Sequence, residues 1–344
     1  MSARASLHHG RSLAVCQDLP GGKRHTPLPG GSFVTRKDLS DISASVRQRL
    51  LNRSKEQGED FQLALTRFIL ERLLYRLGRS EFREQFILKG AMLFSLWGNT
   101  PHRATRDIDF LGFGESAVNR LVQIFQTVCL TRVENDGVTF LQQSARGMEI
   151  REDQEYDGVR ITLEARLGGA RIPVQVDIGF GDTVIPEAGY AEYPTSLDFP
   201  APYIRVYPRE TVVAEKFQAM VYLGMANSRM KDYYDLWIIG KTFPFEGRIL
   251  AQAIMATFSR RRTALAEVLP LALTVEFSGN LGKQTQWRAF VKRNQLAPAD
   301  LFLPIVIAEI REFLQPPLIA AARGETFDFS WPPGGPWRQV AGGV

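Results

Sequence analysis

The sequence predicts an α+β protein, a mixed-sheet block at about 60–205 followed by a helical domain. Three observations carry this prediction. Apolar residues recur at helical spacing through "FQLALTRFILERLLYRLG" (61–78). From residue 146 the period drops to two, the alternation of half-buried strands. After residue 208 the helical period returns.

The elements follow in order. Residues 1–35 read as a flexible leader, because "LPGGKRHTPLPGGS" is rich in Gly and Pro and has no period. "DISASVRQRLLNRSKEQG" (41–58) opens on polar residues and closes on Gly, which predicts a helix. In the next helix Phe61, Leu65, Phe68, Ile69 and Leu73 form the apolar stripe. "FILKG" (86–90) predicts a short strand, "AMLFSLWG" a helix, "TRDIDFLG" a strand and "ESAVNRLVQIFQTVCL" a helix. "ARGMEIRE", "GVRITLEARL" and "ARIPVQVDIGFG" predict consecutive strands, the last two joined by a turn at "GGA" (168–170). Helices are expected over "RETVVAEKFQAMVYLG", "SRMKDYYDLWIIGKTF", "GRILAQAIMATFSRR" and "ADLFLPIVIAEIREFL". The expected boundaries are a leader at 1–35, a first domain with N-terminal helices at 36–205, a helical domain at 206–320 and a tail at 321–344.

Composition narrows the class. With 44% hydrophobic and 23% charged residues, the chain has ordinary globular composition. No apolar run approaches the roughly 20 residues that span a bilayer. Cys16 and Cys129 form no CxxC and suggest no pairing, so a reduced, cytoplasmic protein is expected. No His/Cys cluster suggests zinc, and His102 is the only histidine outside the first thirty residues, which disfavours a nucleophile–His mechanism. The net charge of +5 divides unevenly: +6 over 1–57, −5 over 58–208, +5 over 209–300 and −1 beyond. An acidic centre between basic flanks suits cations in the middle and a polyanion outside, although a solvated surface gives the same count.

The acidic centre contains "RATRDIDFLG" (103–112). Asp107 and Asp109 sit two apart on a strand, so they share a face, and adjacent like charges persist where something positive lies between them. Asp177, in "VQVDIGFGD", lies on a strand that suits the same sheet. Three converging carboxylates make a hard-oxygen site for Mg²⁺. Gly90 ends a strand and opens a helix, where backbone N–H groups can face an anion, and Lys89 precedes it. Arg103 and Arg106 flank the acidic pair, one to offset it and one to reach a substrate.

Strand, Gly turn, helix and a strand bearing Asp-x-Asp together resemble the polymerase-beta type of nucleotidyltransferase. Gly90-Ala91 stands where those enzymes usually carry Gly-Gly or Gly-Ser, so backbone donors remain without a hydroxyl. With "EKFQAMVYLGMANSRMKDYYDLW" (215–237), the chain is similar to the AbiEii/AbiGii nucleotidyltransferase toxins over roughly 45–320. The resemblance implies a polymerase-beta-type fold with a helical C-terminal domain. It also implies catalytic Asp107, Asp109, Lys216 and Asp232, with Asp177 completing the metal site and helping to deprotonate the nucleophile. Nucleotide contacts would come from Lys89, Gly90, Ala91, Arg106, Lys216, Arg229 and Lys231. Lys216 also reads as a surface lysine, and "SRMKDYYD" as a self-paired surface network in which Lys231 and Asp235 are i, i+4 neighbours. Tyr233, Tyr234 and Trp237 read as core before they read as base-stacking platforms, and Arg260-Arg261-Arg262 with Lys292-Arg293 as either an RNA-backbone patch or solvated helix ends.

The implied activity is Mg²⁺-dependent transfer of a nucleoside monophosphate from an NTP to an acceptor hydroxyl. An RNA or tRNA 3′ end is the implied acceptor, and an antitoxin the genetic partner. Transfer to a protein or an aminoglycoside-like small molecule stays open, as does a nucleotide-binding regulator without turnover.

Overall fold

The structure, a computed structural model, describes residues 36–98, 105–152, 156–296 and 301–340. The leader, His102 and Arg103 lie outside the described residues.

Two helices open the fold, α1 (Arg36–Gln57) and α2 (Phe61–Arg79). Asp60 caps α2 by accepting from the Leu63 N–H at 3.0 Å, which satisfies one of the orphan donors of a helix start. The expected stripe is in place: Leu65, Phe68, Ile69 and Leu73 are buried. The same helix also buries Glu71, Arg72 and Arg76. Arg76 grips Asp136 with a two-pronged contact (2.8 and 3.0 Å) and Arg72 adds a third bond to it at 3.1 Å, so the buried charges are paired.

Next come β1 (Phe86–Lys89), a short helix α3 (Leu93–Trp97), β2 (Asp107–Gly112) and α4 (Val118–Leu130). Three long strands follow, β3 (Val138–Glu152), β4 (Tyr156–Leu167) and β5 (Ala170–Phe180), then β6 (Gly189–Glu192) and β7 (Tyr203–Val206). They form one mixed sheet in the order β3-β4-β5-β2-β1-β7-β6, with β2 parallel to β5 and antiparallel to β1. The turn at Gly168-Gly169, with Gly168 at φ +60°, places Leu167 opposite Ala170 and so fixes the β4–β5 register. Helices α1, α2 and α4 lie against this block. Cys129 on α4 is buried, and burial pushes its thiol up to about 12, so it is no thiolate nucleophile.

The helical part comprises α5 (Arg209–Leu223), α6 (Met230–Thr242), α7 (Gly247–Arg260), α8 (Val275–Gly279), α9 (Leu281–Arg293) and α10 (Leu303–Arg323). The apolar pattern predicts an end to α10 at residue 314, but the helix runs through Pro316 and Pro317 to a left-handed Gly324. Burial of Leu318, Ala320 and Ala321 offsets the proline penalty there. Beyond it, β9 (Phe329–Trp331) joins β8 (Phe245–Glu246) and β10 (Arg338–Gln339) in a second small sheet. Trp331 donates to the Gly240 carbonyl at 2.7 Å and Trp337 to that of Phe313 at 3.0 Å, which fastens this segment to α6 and α10. Among the described residues, no helix is long and apolar enough to cross a membrane.

Candidate active site

β2 sits between β1 and β5, and its register puts Lys89, Asp109 and Asp177 in one cross-strand row. Asp107 stands two residues earlier on the same face of β2, opposite Gln175. Ligand atoms of Asp107, Asp109 and Asp177 lie within 4.8 Å of one another. The donor set is all carboxylate oxygen, the chemistry a hard divalent cation takes, so the residues fit the expected metal.

Arg160, opposite Asp177 on β4, donates to both of its oxygens at 2.8 Å, and Gln175 adds a bond at 3.1 Å. Its bonds to Asp177, with the further pull of Asp107 and Asp109, hold the guanidinium above its ordinary value. Thr105 donates to Asp107 at 3.0 Å. Both Asp177 oxygens thus carry donors.

Gly90 closes the site from the β1 side. It has φ +74°, and a Cβ there would press into the Asp109 carboxylate, with Asp109 Cγ only 2.7 Å away. Only glycine lets the turn approach Asp109 this closely. Ala91 follows in a half-buried 3₁₀ turn that leads into α3.

Lys89 points elsewhere, into a buried group of charges. Its Nζ is 3.4 Å from Asp182 and 3.9 Å from Glu215, and Arg261 reaches the same two acids at 3.1 and 3.3 Å. Burial pushes Asp182 up, but Lys89 and Arg261 outweigh it and leave the carboxyl below its ordinary value. Burial dominates at Glu215 and, despite Lys89, leaves that carboxyl raised. Arg261 is therefore an interior residue, and Arg260 donates to the Gly181 carbonyl. Of the triplet read as an RNA-backbone patch, Arg261 is engaged inside the protein, while Arg260 and Arg262 are exposed.

The next residue on α5 enters a second cluster. Lys216 pairs with Asp232 and Asp235, both at 2.8 Å, and Arg229 reaches Asp232 at 2.8 Å. Both aspartates are 0% exposed. Burial pushes Asp232 up, yet Lys216 and Arg229 together hold it below the ordinary carboxylate range. The expected Lys231–Asp235 neighbours diverge, with Lys231 exposed and Asp235 turned inward to Lys216. Tyr233 and Tyr234 are buried, as their core reading required, and Arg106 is exposed beside Asp107.

Sequence reasoning missed Arg160, Asp182 and Glu215. Arg160 had a signal: with Leu167 opposite Ala170, counting back along the hairpin reaches Arg160 opposite Asp177.

A strand, a glycine turn, a helix and a neighbouring strand bearing Asp-x-Asp, with a third carboxylate in register, define a nucleotidyltransferase of the polymerase-beta type. The family comparison agrees: the model of the family described as "Nucleotidyl transferase AbiEii toxin, Type IV TA system" matches residues 72–316, more than half of the 344-residue chain. The chain belongs to this family of nucleotidyltransferase toxins, which places an antitoxin beside it as genetic partner. Two solved H. pylori structures are similar, one described as a candidate nucleotidyltransferase and the other as JHP933. Each is 14% identical with a TM-score of 0.44 over 77% of this chain, covering 96% and 94% of their own chains. The comparison with curated proteins gave no match.

Proposed function

We propose that this enzyme transfers a nucleoside monophosphate from an NTP to the 3′ hydroxyl of an RNA, with tRNA the expected acceptor, in a Mg²⁺-dependent reaction that arrests growth. The observation that carries the reading is the convergence of Asp107, Asp109 and Asp177 within 4.8 Å beside a glycine turn. These three carboxylates would hold the metal, which when bound supplies charge neutralisation for the triphosphate.

The chain's own residues account for the rest. The turn at Gly90-Ala91 offers backbone N–H groups to the phosphates, and Gly90 keeps that turn against Asp109. Lys216 presents a cation whose position is set by Asp232 and Asp235, so Asp232 orients it for the nucleotide. Arg229 shares Asp232, while the exposed Arg106 and Lys231 offer further cations to the substrate. Lys89 supports the turn through Asp182 and Glu215.

The test incubates the protein with Mg²⁺, each α-labelled NTP in turn and total tRNA, beside an Asp107→Ala/Asp109→Ala control. Label entering tRNA with the parent alone supports the reading and names the nucleotide. A double variant as active as the parent would remove the carboxylates from the mechanism.

A further inference from the structure

One face of the long-stranded half of the sheet is packed, and the other is bare among the described residues. On β4, Val159, Ile161, Leu163, Ala165 and Leu167 are buried, and between them Arg160, Thr162, Glu164 and Arg166 point the opposite way. On β5, Ile172, Val174, Val176 and Ile178 are buried, and the opposite face carries Arg171, Pro173, Gln175 and Asp177. Gly147 on β3 turns toward Val118 and Val122 of α4, so its neighbours Arg146 and Met148 take the bare face.

The registers arrange these residues into rows that end at the acidic site. Met148, Arg160, Asp177 and Asp109 form one row, and Arg146, Thr162, Gln175 and Asp107 the next. Arg166 and Arg171 stand opposite each other six residues down the hairpin from Arg160, about 20 Å at about 3.3 Å per residue. Outside the acidic triad, and among the described side chains of these strands, the face carries Arg146, Arg160, Arg166 and Arg171 against Glu164. Glu164 is shared by Arg166 at 3.3 Å and Arg171 at 3.9 Å, so it leaves that pair cationic. Side-chain exposure rises away from the site: 35% for Arg160, 45% for Arg166 and 69% for Arg171. Arg146, also exposed, donates to the carbonyls of Gln143 and Ala145, which spreads its guanidinium along the strand edge. Met148 is 57% exposed between these cations, an apolar platform of the kind an unstacked base covers.

We propose that this bare face of β3, β4 and β5 is the track on which the RNA acceptor lies, its phosphates on Arg146, Arg166 and Arg171 and its reacting end delivered past Arg160 to the acidic site. The inference rests on the RNA-acceptor reading above and adds where that RNA sits. Guanidinium forks match phosphate geometry, and a cationic approach offsets the repulsion an acidic site exerts on a polyanion. The rival patch is weaker: Arg261 is engaged inside the protein and the exposed Arg260 is held at the Gly181 carbonyl, which leaves Arg262 and the α9 end, with Lys292 and Arg293, as the alternative track.

The test compares two full-length triple variants that each remove three positive charges. One is Arg146→Ala/Arg166→Ala/Arg171→Ala on the sheet. The other is Arg288→Ala/Lys292→Ala/Arg293→Ala on α9. Binding of 3′-fluorescein tRNA is followed by anisotropy between 50 and 200 mM KCl, with a fluorescent NTP analogue and thermal melting measured in parallel. The sheet triple should bind tRNA at least tenfold more weakly, with a salt slope shallower by about 0.7 for each phosphate that is no longer neutralised. Its nucleotide binding and melting should match the parent, and the α9 triple should stay within twofold. Arg171→Glu alone, at the most exposed position, should reproduce the weakened binding if the triple misfolds.

Parent-like tRNA binding by the sheet variants overturns the track, as does equal weakening in both triples; weakening confined to the α9 triple moves it there. In each of those cases label transfer to tRNA by the parent keeps the acceptor reading intact. A parent that transfers label to protein and binds no tRNA ends both.

Discussion

Two groups of acids lie at the two ends of one short path. Asp107, Asp109 and Asp177 converge with Arg160 as the cation gripping Asp177. Asp182 and Glu215 meet Lys89 and Arg261, two cations for two acids, in an interior where all four side chains are at most 15% exposed. Lys89 stands opposite Asp109 in the β1–β2 register, so a single strand residue separates the groups. The balanced group holds elements together. The other gathers three carboxylates on the adjacent inner strands β2 and β5, an all-oxygen donor set that a divalent cation completes.

The comparison can be broken by substitution. Asp107→Asn/Asp109→Asn should reduce nucleotide transfer by about 10⁴-fold, about 5.5 kcal/mol at the transition state, with melting unchanged or raised because repulsion is relieved. A fall in melting temperature would show that the pair is structural. Arg261→Ala should do the reverse. Leaving Asp182 and Glu215 with Lys89 alone costs about 3–5 kcal/mol of stability by urea unfolding. Gly90→Ala lies between the two, because it forces a positive φ and crowds Asp109. Strain of about 1–3 kcal/mol and a matching drop in metal affinity by Mn²⁺ titration are expected. Normal affinity would place the turn outside the site.

The smallest effect is a pH dependence. Asp182 and Asp232 are held below the ordinary value of about 4 by the cations around them. Below that value the unfolded chain binds protons that the folded chain does not, so each adds stability above about pH 4 and loses it as pH falls through its folded value. Asp232→Asn should flatten the acid limb of urea midpoints measured between pH 3 and 6. An equally steep limb would assign acid unfolding to other carboxylates.

Much of the fold was legible because its signals are local. The alternation of 158–180 and the Gly168-Gly169 turn define β4, β5 and their register, and the helical stripes of α2 and α4 follow from spacing. Asp107 and Asp109 announced themselves as like charges two apart on a strand. What stayed hidden depends on distant partners. β6 and β7 are four residues each, too short for a period. In α9 the apolar positions Trp287, Phe290 and Val291 crowd one end of a polar helix. Arg261 read as a surface cation within a basic run because nothing near it in sequence reveals Asp182, 79 residues away.

Glu215 and Lys216 are joined by one peptide bond, yet the first enters the group around Lys89 and the second the group around Asp232. Helix α5 is thereby pinned from two sides at a single turn, and neither pin can release without stranding buried charge on both. That turn behaves as a rivet rather than a hinge. Its amides should exchange with solvent only when the whole molecule opens, at the slowest rate in the protein.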